Sequence, residues 1–322
     1  MIEQAIEEPS DHLLQLADEH GFSITPTQLA RWHRAGLLPA PIQHHPEGIR
    51  GSQTIYPVGT GQQLLALCEA RFSQGERRLL YLAWHLWWLG YPILMDQVRK
   101  FMGLSVKRAE RIFAQLADPA TGELSELAWN ALDKAEDARL DNHPLRRIRK
   151  RTGRQNFVTF LRVLLEISIG QFDGFQSRYD ATDRLIVEKG FDIRRAYKDH
   201  LPGAEPWLTP DGFIQSLQSF SQRLAGFDYN QLLENAEDND LLRARDIGFS
   251  ICAVMQAVGQ NLEQQRGRGA FGMTEFAKVL PSLGPEGQAW FIVFFLGWLP
   301  IATEIERANM EFFASLLRAH SA

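Results

Sequence analysis

The stretch Ile24-Thr25-Pro26-Thr27-Gln28-Leu29-Ala30-Arg31-Trp32-His33-Arg34-Ala35-Gly36-Leu37-Leu38-Pro39 carries one helix together with both of its end signals. Thr25 offers a capping hydroxyl, and Pro26 sits at the first helical position, where a missing N–H costs nothing. Leu29 and Trp32, at i and i+3, make a buried face. Thr27, Gln28, Arg31 and Arg34 fall on the opposite, polar and basic side. Gly36 stops the helix after Ala35, and Leu37-Leu38-Pro39 leads away.

Upstream, Ser10 and Asp11 are placed to cap a helix with apolar Leu13, Leu14 and Leu16, ended by Gly21. A short helix, a tight turn and a second helix with an exposed basic face form the geometry in which one helix braces another in a DNA major groove. Downstream, residues 40–54 hold Pro, Gly, His44, His45, Arg50, Ser52 and Gln53, and Ile55-Tyr56-Pro57 reads as a β-like return. A hairpin within 40–57 fits a wing. A third helix follows from Gly61 to Phe72, whose Leu64, Leu65, Leu67 and Cys68 are placed to cover the helix pair.

Residues 24–39, with Ile55-Tyr56-Pro57 and the Leu-rich helix after it, resemble the winged helix-turn-helix of MerR-type transcriptional regulators. The likeness covers about residues 12–72. It implies double-stranded DNA as the partner and transcription regulation as the role. Ala30 and Arg31 stand where the family has a basic and an aromatic residue, and Thr54 replaces a basic residue before the wing Tyr. Arg31, Arg34 and Arg50 are therefore expected to stand in for those basic residues. The contact set is Thr25, Thr27, Gln28, Arg31, Arg34, Arg50 and Tyr56, with Thr27, Gln28 and Arg31 toward base edges and Arg34 and Arg50 toward phosphates. The family forms homodimers through one long helix after the wing; here Gly75, Gly90 and Pro92 interrupt that region.

The 322-residue chain is 45% hydrophobic and 23% charged, as in globular proteins and unlike disordered or fibrous ones. At roughly 150 residues per domain it accommodates two or three domains. Cys68 and Cys252 are the two cysteines, which excludes a disulfide framework or multi-cysteine zinc site and fits a reducing compartment. The net charge is −5, but residues 1–75 carry 4 basic and 8 acidic side chains, residues 76–154 carry 15 and 10, and residues 155–322 carry 15 and 21. Any nucleic-acid surface is thus a local patch. Met1-Ile2-Glu3-Gln4 lacks the basic start of a secretory signal. The apolar runs Leu79–Leu89 and Ala289–Ala302 fall short of the roughly 20 residues that span a membrane. A cytoplasmic protein without membrane contact is expected.

Residues 76–142 read as helical, with breaks at Pro92 and Gly103. Ile93, Leu94, Val98 and Phe101 share a helix face, Gly103-Leu104-Ser105 reads as a turn, and Ser105 as the cap of a helix Val106–Leu116. Lys107, Arg108 and Arg111 then point away from that helix's apolar face. The layout is either a second helix-turn-helix with a second DNA contact or a structural αα-hairpin. Tyr81, Trp84, Trp88 and Tyr91 recur at i, i+3, i+7 and i+10, with Trp87 beside them: core, a partner interface, or a pocket for a small apolar effector. Arg146 to Arg154 is the densest basic run, read as a flexible phosphate-binding arm or a solvated linker.

Beyond this run the expected helices are Phe157–Phe172, Thr209–Ala225, Tyr229–Leu242, Arg245–Gln265, Thr274–Leu280 and Gly287–His320. Gly267-Arg268-Gly269-Ala270-Phe271-Gly272 matches GxGxxG but follows Glu263-Gln264-Gln265-Arg266 rather than a buried strand, so a loop is expected there. Glu237-Asp238-Asn239-Asp240 lacks the glycine and terminal Glu of a calcium loop. His44 and His45 have no further ligands nearby in sequence. Glu304 and Glu306, two apart on a helix, face different ways. HExxH, GxSxG and phosphate-loop patterns are absent, and no enzyme, cofactor or metal is expected.

The fold expected is mainly α: a winged helix-turn-helix with a small β wing (10–75), a helical region with the basic linker (76–154) and an all-helical domain (155–322). The function expected is sequence-specific DNA binding in transcription regulation. The alternative is a helical scaffold whose N-terminal unit docks a protein.

Overall fold

The structure is a computed structural model that describes residues 8–45, 52–118, 120–121, 123–137, 145–176, 179–193, 210–266, 274, 277–278, 283–297 and 299. The chain is mainly helical, with one small sheet among the described residues, and it divides into two compact units, residues 1–104 and 105–322. The division differs from the sequence boundaries at 75 and 154. The first expected boundary lies within the first unit, and the second cuts the first turn of a helix (Arg154–Ser168) that shares one core with the helix before it.

In the first unit, strand β1 (Glu8–Pro9) leads into α1 (Ser10–Glu19), α2 (Pro26–Arg34), the hairpin β2 (Ile42–His44) and β3 (Gln53–Tyr56), and α3 (Thr60–Cys68). The sheet order is β1-β3-β2, antiparallel, with Ile42 opposite Ile55 and Glu8 opposite Tyr56. A π-helical turn, Glu69–Ser73, extends α3, and α4 (Leu79–Trp88) and α5 (Met95–Leu116) follow. No side chain caps α1; its N-cap position is Pro9, so the capping role expected of Ser10 and Asp11 is not filled.

One core joins Leu13 and Ala17 of α1, Leu29 and Trp32 of α2, Leu64, Leu67 and Cys68 of α3, and Leu82, Ala83 and Leu86 of α4. Burial pushes the Cys68 thiol up to about 12, which keeps it in the neutral form. Of the aromatic stripe, Trp84 is buried, as is Trp87 beside it, while Tyr81, Trp88 and Tyr91 are half-buried. Trp84 is buried in ring contact with Trp87, Trp88 and Phe101, and the Tyr81 ring stands edge-on to Phe101 at 4.8 Å. These rings fill the space between one another, which is the opposite of the effector pocket expected at Tyr81, Trp84 and Trp88.

α5 runs unbroken from Met95 to Leu116. The turn expected at Gly103-Leu104-Ser105 does not form, and with it the second helix-turn-helix that was to present Lys107, Arg108 and Arg111. A glycine inside a helix costs only about 1 kcal/mol, which the burial of Val98, Phe101, Met102, Ser105 and Val106 offsets.

In the second unit, α6 (Glu126–Asp137), α7 (Arg146–Thr152), α8 (Arg154–Ser168), α9 (Ala181–Gly190) and α10 (Pro210–Ala225) are followed by α11 (Tyr229–Asn235), α12 (Asp238–Arg266) and α13 (Pro285–Leu296). Ile148, Phe157, Phe160, Val163, Ile186, Val187, Phe191 and Ile214 join α7 to α10 in one core. Leu124, Ala128 and Leu132 set α6 against Leu161 and Leu165 of α8. The break expected between Leu242 and Arg245 occurs earlier. Ala236 is extended, and Asp240 accepts a hydrogen bond from the Glu237 N–H, so a new helix starts there. Ala289, Ile292, Val293, Phe294, Phe295 and Leu296 are buried in α13. Among the described residues no helix is long and apolar enough to cross a membrane. The GxGxxG stretch 267–272, most of the expected helix 274–280 and Glu304 and Glu306 lie outside the described residues.

Gln63 is buried, and its amide donates to the carbonyls of Leu37 (2.9 Å) and Pro92 (3.3 Å). Gln63→Leu keeps the volume but strands both carbonyls. It is expected to lower the unfolding free energy by about 1–3 kcal/mol in a urea titration.

Candidate nucleic-acid interface

α2 is fixed at both ends by local chemistry. The Thr25 Oγ1 accepts from the Gln28 N–H at 3.2 Å, and the Gln28 Oε1 accepts from the Thr25 N–H at 2.8 Å. These two bonds form a reciprocal capping box. At the other end the Gly36 N–H reaches the His33 carbonyl and the Leu37 N–H the Trp32 carbonyl, the paired bonds of a Schellman closure. Gly36 has φ +67°, and a Cβ there would stand 2.6 Å from Leu94 Cδ1. Beside it, the Gln97 amide from α5 donates to the Ala35 carbonyl. The helix thus ends against α5, and side-chain freedom at its exposed face is decoupled from its position.

That face carries Thr27, Arg31 and Arg34, all exposed. At i, i+4 and i+7 they fall within an arc of about 60°. Leu29 and Trp32 are buried on the other side. Neither arginine has an ion-pair partner among the described residues. Ala30, half-buried, flanks the row and leaves it low on one side.

The remaining expected contacts separate from this row. Thr25 is exposed, but its hydroxyl and the Gln28 carboxamide oxygen are committed to the cap. Tyr56 is a correction. It is 3% exposed in the core against α1 and α3, and burial pushes its phenol pKa up. Ile55 beside it is buried as well, so at this end of β3 both faces of the strand are covered and alternation does not leave the phenol outside. Arg50 lies outside the described residues. The hairpin stem beside it is described: Gln43 and Thr54 bond side chain to side chain at 3.0 Å across β2 and β3.

Sequence reasoning missed Glu8. Its carboxylate accepts from the Gly59 N–H at 2.9 Å and the Gly61 N–H at 2.6 Å. A negative charge on the first amides of α3 complements the positive end of its dipole. Nothing local in Glu8-Pro9 signals this, because the partners are 51 and 53 residues away.

In the second unit Lys107 is exposed, Arg108 pairs with Glu286 at 2.6 Å, and the Arg111 Nε donates to the Lys107 carbonyl. Two buried carboxylates, Glu166 and Glu188, each pair with an arginine one turn away, Arg162 and Arg184. Tyr179 donates to Glu166, and burial together with that carboxylate raises its pKa. Arg162 lies over the rings of both Trp129 and Tyr179, at 5.2 and 4.8 Å. The arrangement locks α6, α8 and the segment before α9 together. His44 is exposed in β2, and no group of three or more His, Cys, Asp or Glu able to hold a metal occurs among the described residues.

Comparison of the chain with known protein families, with curated proteins and with solved structures finds no match.

Thr25→Ala removes one half of the capping box. A loss of about 1 kcal/mol in unfolding free energy is expected by chemical denaturation. Gly36→Ala is expected to cost at least about 1–2 kcal/mol from the backbone alone, read as a lowered Tm.

Proposed function

We propose that the chain is a sequence-specific DNA-binding protein that regulates transcription, with α2 as the helix that enters the major groove. The observation that carries this reading is the row Thr27, Arg31 and Arg34 on a helix whose two ends and opposite face are pinned. A reading helix needs a fixed scaffold and exposed polar side chains, and α2 has both. α1 shares a core with α2 and so braces it from behind, and the β2–β3 hairpin that follows α2 in the chain serves as the wing in this reading. The resemblance of residues 12–72 to MerR-type regulators supports the same assignment.

The contact set is narrower than the sequence alone implies. Gln28 and Thr25 position the helix, and Tyr56 packs the wing base. Thr27 and Arg31 are the base readers, and Arg34 meets phosphate. An arginine in this role most often takes the O6 and N7 edge of guanine in two hydrogen bonds. Arg31→Ala then relaxes specificity at one position, and Arg34→Ala weakens all duplexes alike.

Selection of bound duplexes from a random pool tests the reading, with wild type beside the Arg31→Ala, Arg34→Ala double variant. An enriched motif that the double variant fails to enrich is expected. Equal enrichment by both proteins, or none by wild type, overturns the reading and leaves protein docking by the N-terminal unit.

A further inference from the structure

The densest basic run of the chain is used internally. Residues Arg146–Thr152 form α7, neither the flexible arm nor the solvated linker expected. Ile148 and Thr152, one turn apart, are buried, and the Thr152 hydroxyl donates to the Ile148 carbonyl. The Arg151 guanidinium donates to the Gly190 carbonyl at 2.7 Å, and Arg146, Arg147, Arg149 and Arg154 also interact within the chain.

Helix α5 holds cations of a different kind. Its 22 residues carry Arg99, Lys100, Lys107, Arg108 and Arg111 against Asp96 and Glu110. Arg108 is paired with Glu286, and Arg99 interacts within the chain. Lys100, Lys107 and Arg111 are exposed, and none of the three has an ion-pair partner among the described residues. The bond from the Arg111 Nε to the Lys107 carbonyl stays inside the helix and leaves the Arg111 Nη groups to an outside acceptor. At 3.6 residues per turn the three side chains fall within an arc of about 40° and span about 16 Å along the axis. On the far side Val98, Met102, Ser105 and Val106 are buried. Glu110 is bonded to Asn230. Asp96 sits in the first turn, where a carboxylate complements the helix dipole. Because no turn forms at Gly103, one unbroken helix carries the whole stripe.

The stripe begins beside the end of α2. Gln97, three residues before Lys100, donates to the Ala35 carbonyl, and Leu94 lies against Gly36. Arg34 stands next to Ala35 in the chain and is exposed, so the basic end of α2 adjoins the basic stripe of α5. Adjoining cations without partners in the chain suit an extended polyanion.

We propose that Lys100, Lys107 and Arg111 form a second, sequence-independent contact to the phosphate backbone of duplex DNA. The choice of a duplex rests on the reading of α2; the stripe itself does not. No aromatic side chain stands on the stripe for stacking single-stranded bases. Its apolar members are Leu104 and Ala114, too few for a lipid interface. Cations on a helix anchored by its opposite face meet phosphates and set affinity, while α2 sets specificity.

The test compares the full-length wild type with the Lys100→Gln, Lys107→Gln, Arg111→Gln triple variant. Affinity for a duplex of arbitrary sequence is measured against salt, and each protein is also put through the random-pool selection. The triple variant is expected to enrich the wild-type motif while its plot of log affinity against log salt is shallower by about 2.7, at 0.9 per lost phosphate contact. An unchanged slope and affinity overturn the proposal and leave the reading of α2 standing. Wild-type duplex binding that enriches no motif, with a salt slope that the triple variant loses, upholds the stripe and overturns the reading of α2. Wild-type binding to poly-glutamate but to no duplex overturns both. If the triple variant melts below wild type, the single Lys107→Gln variant replaces it, with a slope shallower by about 0.9 expected.

Discussion

A single buried amide holds the N-terminal unit in register. Gln63 sits on α3, and its two N–H bonds run to the peptide that leaves α2 and to the peptide that leaves the loop after α4. Both carbonyls belong to loop segments; the bond to Leu37 is buried and the bond to Pro92 partly so. A buried carbonyl without a donor is costly, so the two loops have one favourable placement, the one that meets Gln63. The exit path of α2 is thereby fixed relative to α3, and the Gln97 contact at Ala35 fixes it relative to α5. Everything the exposed face of α2 offers to a partner depends on those two glutamines, neither of which touches that face.

Much of this was legible in the sequence, for a reason that differs by element. α2 could be read almost to the residue because its end signals are local: Thr25, Pro26 and Gly36 act within one turn of where they stand. The burial of Leu29, Trp32, Leu64 and Leu67 followed from periodicity. Gln63, Glu8 and Gln97 were illegible because their partners lie 26 to 62 residues away and a lone polar side chain carries no mark of a distant carbonyl. Tyr56 was misplaced for a related reason: the resemblance that located the strand says nothing of which face the phenol takes.

The error over α5 has a different origin. Gly103-Leu104-Ser105 has the composition of a turn, and local propensity is a weak prior that packing overrides. Val98, Phe101, Met102, Ser105 and Val106 are all buried along one uninterrupted helix, and a turn at Gly103 would have broken that stripe. The basic run shows the same contest with the opposite sign. Charge density suggested solvation, but Ile148 and Thr152, spaced one turn apart, supplied enough of an inward face to fold the segment. In both places the deciding signal was the spacing of buried residues across the suspect positions, and composition misled.

The two-residue strand β1 has a consequence for the order in which the N-terminal unit is completed. Its ladder partner is β3, and the Glu8 carboxylate bonds amides at the threshold of α3. Neither exists as a binding surface until the hairpin has closed and α3 has begun. Joining residues 51 apart in the chain also carries a loop-closure entropy that early local contacts do not. β1 is therefore laid onto a finished surface, as the closing stitch of the unit. Exchange protection at the Gly59 and Gly61 amides marks the moment when folding of that unit is complete, and its loss marks the first opening of the seam.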